Sequence, residues 1–177
     1  MYDDILHLTF IRANRWMHAV ELQAKRIIGP VIDLSAGHEA YRTEWNQRQL
    51  DLDYFLIALN RLRVAVRSAN ETLKNADITA ALRVFDTKVP DVKDLRDIAE
   101  HFDEYDREVG KLNKKNTLTS ESPSYGWGDS DGSINYRGKK ISVVTAREAA
   151  RQLHKVVLDT LRQSGKQIDL SEWPLIH

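Results

Sequence analysis

Leu52-Asp-Tyr-Phe55-Leu-Ile-Ala-Leu59-Asn-Arg-Leu62-Arg-Val-Ala-Val66-Arg-Ser-Ala69-Asn-Glu-Thr-Leu73 decides the fold. Leu52, Phe55, Leu59, Leu62, Val66, Ala69 and Leu73 alternate steps of three and four, so one apolar stripe runs along three heptads of helix. Arg61, Arg63 and Arg67 fall on other faces. A stripe that long needs partner helices to bury it.

Partners stand on both sides. Upstream, Leu6, Phe10, Met17, Val20 and Ala24 recur at helical steps and predict a helix from about Asp3 to Ile28, stopped by Gly29-Pro30. A loop containing Gly37 follows. Downstream, a short helix near Ile78–Phe85 leads to Pro90. A third long helix starts at Asp91 or Val92, with Asp91 and Asp94 well placed against its N-terminal dipole. Its stripe is Val92, Leu95, Ile98, Phe102, Tyr105 and Val109, and Gly110 ends it.

Residues 111–124 are almost wholly polar and read as a loop. Ser133–Tyr136 and Lys140–Val144, joined across Arg137-Gly138, form an expected β-hairpin. Thr145-Ala-Arg-Glu148 reads as a capping box opening the last helix. Ala149, Leu153, Val156, Val157 and Leu161 supply that helix with an apolar face, and Gly165 closes it. The expected fold is therefore all-α: an antiparallel four-helix bundle with a small β-hairpin insert before the last helix. Residues 1–177 read as a single domain, of which 111–144 are the polar loop and hairpin insert.

Composition narrows the function classes. At 177 residues, 42% hydrophobic and 29% charged, the chain suits one soluble globular domain. Twenty-six basic residues balance twenty-six acidic ones, so any nucleic-acid or membrane contact must come from a local patch. The absence of cysteine excludes disulfides, thiolate metal sites and cysteine nucleophiles. The longest apolar run, Tyr54–Leu59, is far short of the roughly 20 residues of a membrane span. An acidic start, Met-Tyr-Asp-Asp, lacks the basic character of a signal peptide. A cytoplasmic protein with no membrane contact is the expectation.

Chemistry concentrates on the third helix, in Arg96-Asp97-Ile98-Ala99-Glu100-His101. Arg96 and His101 differ by about 140° in azimuth and about 7.5 Å along the axis, so they do not stack. Both border the apolar stripe, however, and a long arginine can swing toward a groove they share. Such a pair suits phosphodiester cleavage. A guanidinium grips phosphate oxygens and developing charge, while an imidazole exchanges protons near neutral pH. With RNA the 2′-hydroxyl supplies the nucleophile and no metal is required.

This stretch resembles the Arg–polar–x3–His signature of the HEPN superfamily, helical-bundle proteins that include many metal-independent ribonucleases. The resemblance implies that Arg96 and His101 are catalytic, with Asp97 the polar residue after the arginine. It also implies a homodimer whose two motifs face one cleft, and a role as a toxin or stress effector with RNA as substrate and an antitoxin or other protein as partner. The helix order and the insert before the last helix are similar too. The alternative within the same fold is a non-catalytic module that binds a protein or a nucleotide. The plainest reading of the pair is a surface contact between Arg96 and Glu100 at i,i+4.

One feature opposes an RNA cleft here. Eight acidic residues lie between Asp91 and Glu108 against Lys93, Arg96 and Arg107 alone, so this helix repels phosphate by itself. The missing positive charge is sought on the last helix, where Arg147, Arg151 and Lys155 form an i,i+4 stripe expected to bind substrate. Lys111, Lys114 and Lys115, and Arg137, Lys139 and Lys140, are further basic groups.

Other sites are set aside. Asp97, His101 and Glu104 share one helical face, but the Glu-x-x-His pattern of di-iron bundles is missing. Neither a metal nor a cofactor is expected. Gly126-Trp127-Gly128 has no following lysine and is no phosphate loop. Asp129 to Gly132 echoes a calcium loop without its terminal glutamate and reads as a turn.

Overall fold

A computed structural model describes residues 2–29, 37–119, 124–125 and 132–164. The protein is mostly helical, with a small antiparallel sheet ahead of the last helix. Helix α1 spans Tyr2–Ile27, α2 His38–Leu73, α3 Ala76–Lys88, α4 Val92–Glu100, α5 Phe102–Asp106, α6 Lys111–Lys114 and α7 Val143–Gln163. Strands β1 (Ser124–Tyr125), β2 (Ser133–Tyr136) and β3 (Lys139–Ser142) form one sheet in that order. Among the described residues no helix is long and apolar enough to cross a membrane.

The stripe on α2 is the axis of the molecule. Phe55, Leu59, Leu62 and Val66 are fully buried, and the helix packs against α1, α3, α4 and α7. It begins at His38, well ahead of Leu52, directly after Gly37, whose φ of 94° is not helical. The expected stripe of α1 is buried throughout: Leu6, Phe10, Met17, Val20 and Ala24 have no exposed surface. A short turn at Lys74, left-handed at φ 50°, reverses the chain. The Asn75 side chain then accepts the Ile78 N–H and caps α3. Two cross-links fix the antiparallel register of α2 and α3. Arg63 pairs with Asp86, and seven residues later in α2 Asn70 donates to Thr79, seven earlier in α3.

The third long helix is two. Its expected run from Asp91 to Val109 breaks at His101, whose φ of −126° and ψ of 37° are not helical. Val92, Leu95 and Ile98 are buried as the stripe requires, but Phe102 is 65% exposed and Val109 46%. Tertiary packing causes the difference. Past the break Tyr105 enters a small second core with Ile98 and Leu112, backed by Leu118 and Tyr136 of the insert. Its hydroxyl donates to Asp97 at 2.8 Å and accepts the Leu112 N–H. A continuous helix could not fold that ring back. Seven helices therefore stand among the described residues where four long ones and a short one were expected.

Gly110 is required by this arrangement. A Cβ there would sit 2.6 Å from the Tyr105 ring. Gly110→Ala is expected to lower stability by about 1–3 kcal/mol through overpacking, measured by urea unfolding.

The insert has the expected hairpin, with Ser133 opposite Ser142 and Tyr136 opposite Lys139. Arg137 and Gly138 both have positive φ, 49° and 87°, which suits the twist of a two-residue turn. Its second strand ends at Ser142 rather than Val144, and β1 adds a short third strand. The polar loop contains one turn of helix, α6. The capping box at Thr145 does not form. Instead Ser142 caps α7 three residues earlier, its side chain accepting the Thr145 N–H. Val143 is drawn into the core as its N–H bonds Gly132, so the helix starts ahead of Thr145. Pro30, Gly126 to Gly128, Asp129 to Asp131 of the turn expected up to Gly132, and the stop expected at Gly165 lie outside the described residues.

Candidate functional site

Arg96 and His101 part company on α4. Arg96 lines a cleft of about 340 Å³ between α2 and α4, whereas His101 is exposed at the helix break and is not among the cleft's lining residues. The cause is the azimuth. The buried face of α4 centres on Leu95, so Arg96 lies about 100° round to one side, with Lys93 beyond it at about 160°, and His101 about 120° round to the other.

The other wall comes from α2. Asn60, Arg63, Arg67 and Ser68 recur at helical steps along one flank of the Leu52–Leu73 stripe and face Lys93 and Arg96. Four cations thus meet from two helices. Two are committed within the protein: the Arg63 fork grips both oxygens of Asp86, and Arg96 pairs with Glu100. Hydrogen bonding to Asp86 raises the Arg63 pKa further, against the opposing effect of burial. Arg67 and Lys93 have no carboxylate partner among the described residues. Against Asp86, Glu100 and the lining Glu71, the four cations leave one net positive charge.

The Arg96 Nε is buried without a hydrogen-bond partner. A buried donor left unpaired costs about 1–3 kcal/mol. An oxygen-rich anion in the cleft would offer it an acceptor once the guanidinium turned from Glu100. A single tetrahedral phosphate suits such convergent donors, because guanidinium and ammonium groups both satisfy its oxygens.

The acidic run is largely neutralised from within. Lys139 pairs with Asp91 and Asp94, Arg96 with Glu100, Arg107 with Asp103, and Arg137 with Glu108. Asp97 accepts the Tyr105 hydroxyl, so it serves the second core rather than the cleft. That bond and burial, chiefly burial, push the Tyr105 pKa up to about 12.

Basic residues expected on α7 are elsewhere. Arg147, Arg151 and Lys155 do not line the cleft. Arg151 forks onto Glu21 of α1, and Lys155 pairs with Asp159. Among the described residues no three histidine or acidic side chains gather as metal ligands, and Asp97, His101 and Glu104 are not brought together.

Arg63, Arg67 and Lys93 are the site residues that sequence reasoning did not assign. Their signal was present as arginines at i,i+4 flanking one stripe and a lysine three before Arg96. Only the packing of α4 on α2 shows that these flanks face each other. Compared with known proteins, the chain matches no family model, no curated protein and no solved structure.

Proposed function

We propose that this chain is a HEPN-like helical module that holds the phosphate backbone of RNA in the cleft between α2 and α4. In this reading α1, α2, the α4–α5 pair and α7 are the four helices of the bundle. Arg67 and Lys93 contact phosphate directly. Arg96 joins them by releasing Glu100, and Arg63 stays anchored to Asp86 as the fixed positive wall. The observation that carries the reading is the convergence of four cations from two helices on one concave surface. Phosphate contacts dominate nucleic-acid affinity, so a site of this kind binds RNA with a strong salt dependence.

Cleavage is the second reading, favoured by one observation. His101 is exposed at the α4 break and no protein group engages its imidazole among the described residues. In a cytoplasmic homodimer His101 of the partner subunit would reach the cleft and complete the pair with Arg96. The 2′-hydroxyl would attack phosphorus as His101 took its proton, the P–O5′ bond would break with the 5′-oxygen taking a proton from water, and a 2′,3′-cyclic phosphate would remain. An antitoxin or another protein would then act by covering the cleft.

Anisotropy with a labelled single-stranded oligoribonucleotide tests both. Arg67→Glu combined with Lys93→Glu should weaken binding at least 30-fold with the helical signal unchanged. The slope of log affinity against log salt should shrink by about 1.4, two contacts at about 0.7 each. Unchanged affinity in that variant ends the binding proposal. His101→Ala should leave affinity intact and remove any cyclic-phosphate product. Cleavage that survives it ends the second reading alone.

A further inference from the structure

On the opposite flank of α4 lies a separate cavity of about 210 Å³. Leucines and isoleucines of α2, α4 and β2 form its walls, and Phe102 and Tyr136 bring aromatic rings. Its polar groups are Gln49, Asp53 and Asp106, together with the Tyr136 hydroxyl. No lysine, arginine or histidine lines it.

Two of those polar groups are unsatisfied. The Gln49 Nε2 is buried and has no hydrogen-bond partner. Asp53 is half-buried with neither a hydrogen bond nor an ion pair among the described residues. Burial alone raises its pKa from 3.8 to about 6. A desolvated carboxylate without a partner destabilises a fold, and native proteins rarely keep one without a use.

The cavity's chemistry restricts its ligand. Uncompensated carboxylates repel anions and attract a cation. Apolar walls cannot supply the six or more oxygens that a hard metal ion takes. An organic cation meets both conditions, its charge on the carboxyl and its hydrocarbon on the walls. A cavity of about 150 Å³ holds benzene, so this one admits a single ring or short chain bearing an ammonium group. Aromatic faces add attraction for that charge.

We propose that this cavity binds a primary amine with a compact apolar body, its ammonium held between Asp53 and the Gln49 amide. A half-turn of the amide presents its oxygen, so Gln49 accepts one N–H and Asp53 another. Phe102, exposed at the rim, lies over the hydrocarbon. The site is independent of the RNA cleft, since Lys93 and Arg96 take no part in it.

Calorimetry on the full chain at pH 7.5 tests this with 2-phenylethylamine as probe. 2-Phenylethanol, equal to it in size, and phenylacetate, larger by one heavy atom, serve as comparisons. The amine should bind saturably, the alcohol at least tenfold more weakly and the acid not at all. Asp53→Asn should cost at least tenfold in affinity while raising the melting temperature, because an unpaired charge is removed. Should that variant fold poorly, Gln49→Leu should weaken the amine by a smaller factor. Lowering the pH from 7.5 to 5 should weaken it about tenfold as Asp53 takes a proton. The other ionisable groups lining the cavity are Asp106 and Tyr136, and Asp106→Asn should keep that pH response. Equal affinity for alcohol and amine, or an unchanged affinity in Asp53→Asn, overturns the proposal.

Discussion

Phe55→Ala lowers the free energy of unfolding by about 3–5 kcal/mol, the range for deleting a buried aromatic ring. Phe55 has no exposed surface and sits in the middle of α2, the helix touched by α1, α3, α4 and α7. Four packed neighbours cannot all move in to fill the void, so the cavity term stays large. Domains of this kind hold about 5–15 kcal/mol in total, so the loss is a large part of the whole. Tyr54 is the control. It is the preceding residue on the same helix but is 59% exposed, and Tyr54→Ala should change stability by no more than about 0.5 kcal/mol. Guanidinium unfolding followed by circular dichroism measures both. Equal effects from the two variants would mean that α2 is not the buried axis.

Acid should unfold the protein partly through His154. This residue of α7 is 7% exposed, its ring lies 5.9 Å from that of Phe10, and its Nε2 has no partner. Burial, helped by the nearby His18, lowers its pKa from 6.5 to about 4. The folded state therefore favours the neutral ring, while the unfolded chain takes up a proton below pH 6.5. Stability is fully present above 6.5 and is lost as pH falls toward 4, by up to about 3 kcal/mol.

Asp53 acts in the opposite direction. Its folded pKa of about 6 lies above the ordinary 3.8, so its contribution is present in acid and is lost as pH rises through that interval. Solvent reaching this half-buried carboxyl keeps the effect near 1 kcal/mol. Comparing variants separates the two. His154→Leu should match the wild type near pH 7.5 and exceed it by about 2–3 kcal/mol at pH 4, measured by urea unfolding across the range. Parallel curves for the two proteins would show that His154 is charged in the fold.

Periodicity read along the chain located the elements well where the residues themselves do the work. The stripes of α1 and α2 are legible because residues three and four apart share a helix face whatever lies elsewhere. The hairpin is legible for a similar reason, since Arg137-Gly138 meets the demand of a tight turn over two residues. The break at His101 is not legible. The stripe continues through Phe102 and Tyr105, and only the Tyr105 ring, folded back onto Asp97 and Leu112, interrupts it. The start of α7 shows the same limit. Thr145 and Glu148 make a plausible cap, yet the pull of Val143 into the core moves the cap to Ser142.

The site divides along the same line. The spacing that marks Arg96 and His101 as a pair also puts the two about 140° apart on the helix. The structure keeps them apart and gives Arg96 other company. Arg63, Arg67 and Lys93 join it because α4 lies along one flank of α2, and Asp53 loses part of its water because the sheet and α5 close over the other flank. By itself the sequence determined which faces are apolar and where helices and hairpin fall, since those depend on neighbours a few residues away. Which charged groups meet, and which are stripped of solvent, was decided only by tertiary packing, because proximity in space and loss of hydration arise from residues distant in the chain.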